Sequence, residues 1–160
     1  MKSFRITILG LVLVLSGCSS SSKSTDVHSH EIKVSKDKKT EATNGVDTLP
    51  SFLSNSSQKI REVYSLAAKN YDLLHHIPCY CGCGQLDGHK SVSDCFVKDV
   101  RQNSVVTWDS HGSNCGVCLN IVAYSVELQK EGKSIKEIRT KIDERYKEHG
   151  KKPTHTPIPN

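Results

Sequence analysis

Apolar side chains are scarce in this 160-residue chain: 36% of residues are hydrophobic and 6% aromatic, with one tryptophan and one methionine. A folded soluble domain carries roughly 45–50% apolar residues, so the core here is expected to be small and to need staples besides burial. That excludes a large catalytic α/β enzyme. Phosphate-cradling glycine loops, dinucleotide fingerprints and Ser-His-Asp hydrolase patterns are missing too. The apolar stretch from Ile6 to Leu15 has ten residues, half of the roughly 20 that a bilayer-spanning helix requires. A formal charge of +5, part of it from Lys2 and Arg5 at the amino end, is too small to argue for a nucleic-acid partner.

What is present begins with a leader. Lys2 and Arg5 form a basic n-region, the short apolar stretch follows, and Leu15-Ser16-Gly17-Cys18 comes at once. That tetrapeptide resembles a bacterial lipobox. The resemblance implies removal of residues 1–17 as a lipoprotein signal peptide and a diacylglyceryl group on the Cys18 sulfur. The mature chain is then expected on the extracytoplasmic face of the cell membrane, held by its lipid. Residues 18–50 are rich in Ser, Lys, Thr and Asp without an apolar period, and read as a disordered, flexible tether.

A helical period starts at Gln58, where Ile60, Val63, Tyr64, Ala67, Tyr71 and Leu74 recur at three- and four-residue steps behind Ser56 or Ser57 as cap. Pro78 should stop it. A second helix is expected from about Asn114, with Cys115 and Cys118 in its first turn and Gly132 as its end. Ser134-Ile135-Lys136-Glu137 has the form of a capping box, and opens a third helix closing at Gly150. The segment between the first two helices reads as loop with a short helical turn about Ser93 to Val97. The expected fold is thus mainly α: a small three-helix domain over residues 51–150 around a Cys/His-rich loop region. Residues 151–160, with Pro153, Pro157 and Pro159, read as a disordered tail.

Six of the seven cysteines fall between Cys79 and Cys118. Cys79, Cys81 and Cys83 alternate, so in extended chain their sulfurs share a face while the intervening glycines let the backbone curl. His89 and Cys95 follow, then His111, Cys115 and Cys118. Clustered thiolates repel and are relieved by a cation, and soft sulfur favours Cu(I) or Zn²⁺. Those eight residues are the candidate metal ligands. Two alternatives stay open at this point. Outside the cell six cysteines can instead form three disulfides, making a stapled interaction domain. Cys115 and Cys118, at a helix N-terminus that lowers thiol pKa, can also form a redox pair for thiol-disulfide exchange.

Pro78-Cys79-Tyr80-Cys81-Gly82-Cys83-Gly84, then His89, Asp94-Cys95-Phe96, Trp108, His111 and Cys115-x-x-Cys118, resembles the PCYCGC-motif lipoproteins of Firmicutes from the lipobox to about Gly150. The resemblance implies location and architecture and carries no established activity. The stretch from Glu131 to Ile138, with Arg145-Tyr146, is similar to the membrane-anchored thiol reductases of cytochrome c maturation. That likeness implies a thiol-exchange or chaperone role toward a cytochrome or copper-protein client. The residues themselves favour a metal-binding module over an enzyme. Trp108 is expected to pack the core, and Asp87 and Asp94 to be solvated.

Overall fold

The structure, a computed structural model, describes residues 40–101, 104–149 and 151–159. The leader, Cys18 and the tether up to residue 39 lie outside the described residues.

Five helices and three strands are described. The first strand, β1 (Thr40–Asn44), lies inside the stretch read as tether. It is followed by α1 (Gln58–Lys69) and α2 (Tyr71–His75). The one-turn helix α3 (Cys83–Leu86) precedes β2 (Val97–Val100) and β3 (Val105–Asp109). Two longer helices, α4 (Gly116–Lys130) and α5 (Ile135–Tyr146), complete the domain.

The expectation of a mainly α three-helix domain is therefore corrected: the fold is mixed α/β. An antiparallel sheet in the order β1-β3-β2 accompanies the helices. Glu41 and Val97 both face Trp108 across β3, and the β2–β3 register shifts between Val97 and Asp99. That bulge breaks the alternation by which a strand is recognised, and β1, Thr-Glu-Ala-Thr-Asn, has almost no apolar content to signal one. Only β3 is written in strand-forming residues, Val-Val-Thr-Trp-Asp.

The helices follow their apolar periods more closely. Ser57 caps α1 by accepting from the Ile60 amide. The run expected to reach Pro78 as one helix breaks at Asn70, whose Nδ2 donates to the Leu66 carbonyl at 2.8 Å and competes with the backbone ladder. Ser134 and Glu137 form the expected reciprocal capping box, and Gly132 leaves α4 at φ +81°. The α-helical part of the last helix ends at Tyr146, followed by a single 3-10 turn over Lys147–His149.

Helix α4 lies between α1 and α5 and buries residues on most of its circumference, including Ile121, Val122, Val126 and Leu128. Tyr64 of α1 and Ile138 and Ile142 of α5 close on it from the two sides. Tyr64 also joins helices to sheet. Its ring meets Phe96 edge-on at 5.0 Å, and its hydroxyl donates to the Asp109 carbonyl at 2.8 Å. Trp108 is fully buried as expected, its indole N–H donating to Thr43 Oγ1 of β1 at 2.7 Å.

Phe96 leaves no room on the other side of its ring. A Cβ built on Gly112 would stand 2.6 Å from Phe96 Cδ1, whereas one on Gly116 meets nothing within 4 Å. Gly112→Ala is therefore expected to destabilise the domain by about 1–3 kcal/mol, the usual range for overpacking, and Gly116→Ala to stay within about 1 kcal/mol of the parent. Urea unfolding of the two variants checks this, and equal midpoints would refute the packing assignment.

Candidate metal centre

The PCYCGC stretch crosses the core in extended form and is tied at both ends. Ile77 accepts from the Val92 amide at 2.8 Å, and Gly82 turns the chain at φ +90° into α3. Between them, Tyr80 stacks on Tyr146 at 5.7 Å and its hydroxyl donates to Asp143 of α5 at 2.8 Å. Cys79 is fixed by the C-terminal segment, which pairs with it instead of fraying. The Thr154 amide donates to the Cys79 carbonyl at 3.0 Å, and the Cys79 amide donates to Thr154 Oγ1 at 2.9 Å. Thr156 donates to the Lys90 carbonyl at 2.6 Å. Gly84 makes this strap fit, because a Cβ there would lie 2.7 Å from Thr154 Cγ2.

Three further cysteines arrive from elsewhere. Cys95 ends a 3-10 turn over Ser93–Cys95, Cys115 is the residue before α4, and Cys118 is in the first turn of α4. Cys79, Cys81, Cys95 and Cys118 are all buried, with their sulfurs mutually within 4.8 Å. Cys79 Sγ lies 3.4 Å from Cys118 and 3.8 Å from Cys95, and Cys118 and Cys95 are 3.5 Å apart. A tetrahedral ion with metal–sulfur bonds of about 2.3 Å spaces its sulfurs at about 3.8 Å. The Cys79–Cys95–Cys118 triangle therefore has close to the dimensions of one face of such a site.

Two further sulfurs lie next to this triangle. Cys81 Sγ is 2.9 Å from Cys79, but Cys81 is disulfide-bonded, and a disulfide sulfur is a poor donor. Cys115, half-buried, places its sulfur 3.1 Å from Cys118. Cys79, Cys95, Cys115 and Cys118 are free thiols, so a framework of three disulfides does not hold for this domain. The side chain of Cys83, also a candidate ligand, lies outside the described part of the structure.

Hydrogen bonds divide the protons among these sulfurs. Donation from the Cys118 and Cys95 thiols holds Cys79 well below the usual thiol range. Cys118 moves in the opposite direction because it donates to Cys115, Cys79 and Cys95 and is buried. Cys95 receives a bond from Cys118, yet its bond to Cys79 and its burial leave it raised. Cys115 is lowered to about 7, chiefly by the Cys118 thiol and then by amides at the start of α4. A cation entering this group would displace thiol protons, since cysteine binds a metal as the thiolate.

The histidines of the sequence motif are also drawn in. His89 is 6% exposed, with Nδ1 3.4 Å from Cys95 Sγ. His111 begins a 3-10 turn beside it, the two rings 5.0 Å apart and nearly perpendicular. His111 Nδ1 lies 3.5 Å from Asp87 Oδ2, and Asp87, His89 and His111 form a second group of converging donors. Asp87 was expected to be solvated, which corrects the reading of that residue. Its sequence signal was the Asp-x-His spacing, with Gly88 between at φ +69°.

A family model described as a protein of unknown function with PCYCGC motif matches residues 6–159. The chain belongs to this family. No curated protein and no solved structure matches, so the likeness of the last helix to cytochrome c maturation reductases has no homologue behind it. The PCYCGC motif is thus the mark of the family, and in this member it supplies Cys79 and Cys81 to a buried Cys/His-rich cluster with the dimensions to hold a metal ion.

The proton distribution predicts reactivity. In reduced, metal-free protein, Cys115 should be alkylated first, at a rate that rises with pH through about 7 as its thiolate forms, with Cys79, Cys95 and Cys118 shielded by burial. Peptide mapping after timed alkylation reads this directly. A Cys115 midpoint near the ordinary thiol value of 9.0 would show that Cys118 does not donate to it.

Proposed function

We propose that this protein is a lipid-anchored extracytoplasmic metal-binding module whose thiol cluster holds a soft transition-metal ion, Cu(I) or Zn²⁺. The observation that carries the reading is the triangle of free sulfurs from Cys79, Cys95 and Cys118, with edges of 3.4–3.8 Å. Three separate segments deliver these atoms to one buried point. Hydrophobic packing alone has no use for that convergence, since cysteines in contact oxidise or repel as they ionise. Sulfur donors select soft ions, and burial keeps a bound ion from hydrolysis and exchange. The fourth sulfur within reach of all three is that of Cys81, once its disulfide is reduced, and Cys115, 3.1 Å from Cys118, borders the group.

Location in this reading rests on Leu15-Ser16-Gly17-Cys18. A lipid on Cys18 with a polar stretch behind it would hold the domain at the outer face of the membrane, where incoming copper or zinc is first met. The partner is the membrane itself, and any protein that receives the ion would approach through Cys115, the free thiol of the cluster with solvent exposure.

A second reading, thiol-disulfide exchange, draws on the pair Cys115 and Cys118: Cys115 is half-buried, lowered to about 7, and 3.1 Å from Cys118. The Cys115 thiolate would attack a client disulfide, releasing one client sulfur as a thiol and forming a mixed disulfide, and Cys118, losing its proton to solvent, would attack the Cys115 sulfur and release the client's second sulfur as a thiol, leaving Cys115–Cys118 oxidised and the client reduced.

Two measurements test these readings. Reduced full-length protein is expected to give a sulfur-to-cobalt charge-transfer band when titrated with Co²⁺ as a Zn²⁺ probe, and Cys118→Ser to lose most of that band and weaken binding at least about tenfold. An unchanged band would remove the sulfur site, and accumulation of a trapped Cys115 mixed disulfide in the same variant would favour the exchange reading. Separately, Cys18→Ser is expected to move the protein from the membrane fraction to the soluble one; retention in the membrane would contradict lipid anchoring.

A further inference from the structure

We infer that Asp87, His89 and His111 form a second metal site, distinct from the thiol cluster, that takes a borderline divalent cation such as Zn²⁺ at a solvent-open position. The donor atoms of the three residues lie within 4.8 Å of one another. Asp87 Oδ2 and His111 Nδ1 are 3.5 Å apart. A charge-assisted hydrogen bond between such groups closes to about 2.7–2.9 Å, whereas two ligands of one tetrahedral ion with bonds of about 2.0–2.2 Å stand about 3.3–3.6 Å apart. The observed separation is that of co-ligands.

The three side chains are aimed by structure outside themselves. Gly88, at φ +69°, turns the chain so that Asp87 and His89 serve one point. The turn carrying His111 is anchored by the fully buried Asp109, whose Oδ1 accepts from the His111 amide at 2.8 Å. Asp109 is held in turn by Tyr64 on its carbonyl and by Lys98 Nζ, 3.4 Å from Oδ2. Gly112, the next residue, packs so close to the Phe96 ring that a Cβ would clash with it. Such outer support is what keeps metal ligands in place before the ion arrives.

Donor chemistry separates the two sites. Two imidazoles and a carboxylate suit zinc and its neighbours among the divalent first-row ions, without the sulfur that selects Cu(I). The side chains of His111 and Asp87 retain 20% and 19% exposure, so a fourth position is open to water or to a ligand brought with the ion. His89 is the shared wall: its ring faces His111, and its Nδ1 is 3.4 Å from Cys95 Sγ. An ion at the open site therefore lies one imidazole away from the buried sulfurs.

The test uses the reduced full-length chain, with Zn²⁺ bound at equilibrium counted by elemental analysis and Co²⁺ as the spectroscopic probe. The wild type is expected to bind two ions. The double variant Asp87→Asn, His111→Gln should bind one, with the sulfur-to-cobalt band and the far-ultraviolet dichroism unchanged. Asp87→Asn alone, a change at a partly exposed residue, should weaken the second ion at least about tenfold. Variants that bind as many ions as the wild type with equal affinity overturn the inference, as does a wild type that binds one ion and shows the sulfur band. A wild type that binds one ion without that band and loses it on Asp87→Asn sustains this site while removing the thiol centre.

Discussion

Sulfur that is buried beside sulfur must be protonated, bonded or paired with a cation, and much of this domain is organised by that constraint. Cys79, Cys95 and Cys118 are each essentially without solvent contact and lie within 3.8 Å of a neighbour. Water does not reach these sulfurs to stabilise charge, and their mutual hydrogen bonds pull Cys79 below the usual thiol range while Cys95 and Cys118 are pushed above it. A cation would remove the conflict by taking the place of thiol protons. The elements around the cluster are arranged to prevent the cheaper escape, which is for the chain to swing the sulfurs apart. Tyr80 is clamped on α5 through Asp143 and Tyr146, Cys79 is paired on both sides of its peptide with Thr154, and Cys118 is part of a helix packed on two faces.

The same constraint accounts for a core that looks too small for its job. Much of what is buried is not aliphatic: Cys79, Cys81, Cys95, Cys118, Tyr80 and His89 occupy positions that leucine or valine would fill in an ordinary domain. Cysteine and histidine bury less apolar area per residue than leucine, and an ion held by the sulfur cluster would add coordination energy that burial does not supply. Metal loading and folding stability would then be linked by mass action, since an ion bound only by the folded chain stabilises it in proportion to the logarithm of its concentration.

What the amino-acid order reveals depends on the range over which each feature is encoded. The helices were legible because a 3.6-residue period and local caps, Ser57 and the Ser134–Glu137 box, are written within a few residues. The sheet was not. Strand β1 is polar and β2 is bulged, and both are strands only because β3 lies between them, a pairing set by residues more than 50 positions apart in the case of Thr43 and Val106. The candidate site shows the same division. Sulfur and imidazole content marked its members, whereas Asp87 looked like any surface acid until the fold set His111 beside it. The C-terminal strap was invisible for a related reason: prolines advertise the absence of helix, but they do not forbid an extended segment from hydrogen-bonding through Thr154 and Thr156.

Placement of Cys115 gives the cluster a direction. The other free sulfurs are sealed, whereas Cys115 stands at the boundary with solvent, before the first turn of α4, where backbone amides and the Cys118 thiol stabilise its charge. A ligand at such a boundary could exchange with an outside donor while the inner sulfurs kept hold of an ion, because an ion would move between sulfurs 3.1 Å apart by forming one metal–sulfur bond as another breaks. The features that would make Cys115 a nucleophile toward a disulfide also make it an entry ligand for a soft ion, since both require an exposed thiolate near neutral pH. What distinguishes the proposed metal chemistry from exchange is the surroundings of its partner: Cys118 is within hydrogen-bonding distance of Cys79 and Cys95 as well as of Cys115, so its sulfur faces three others and not a single resolving partner.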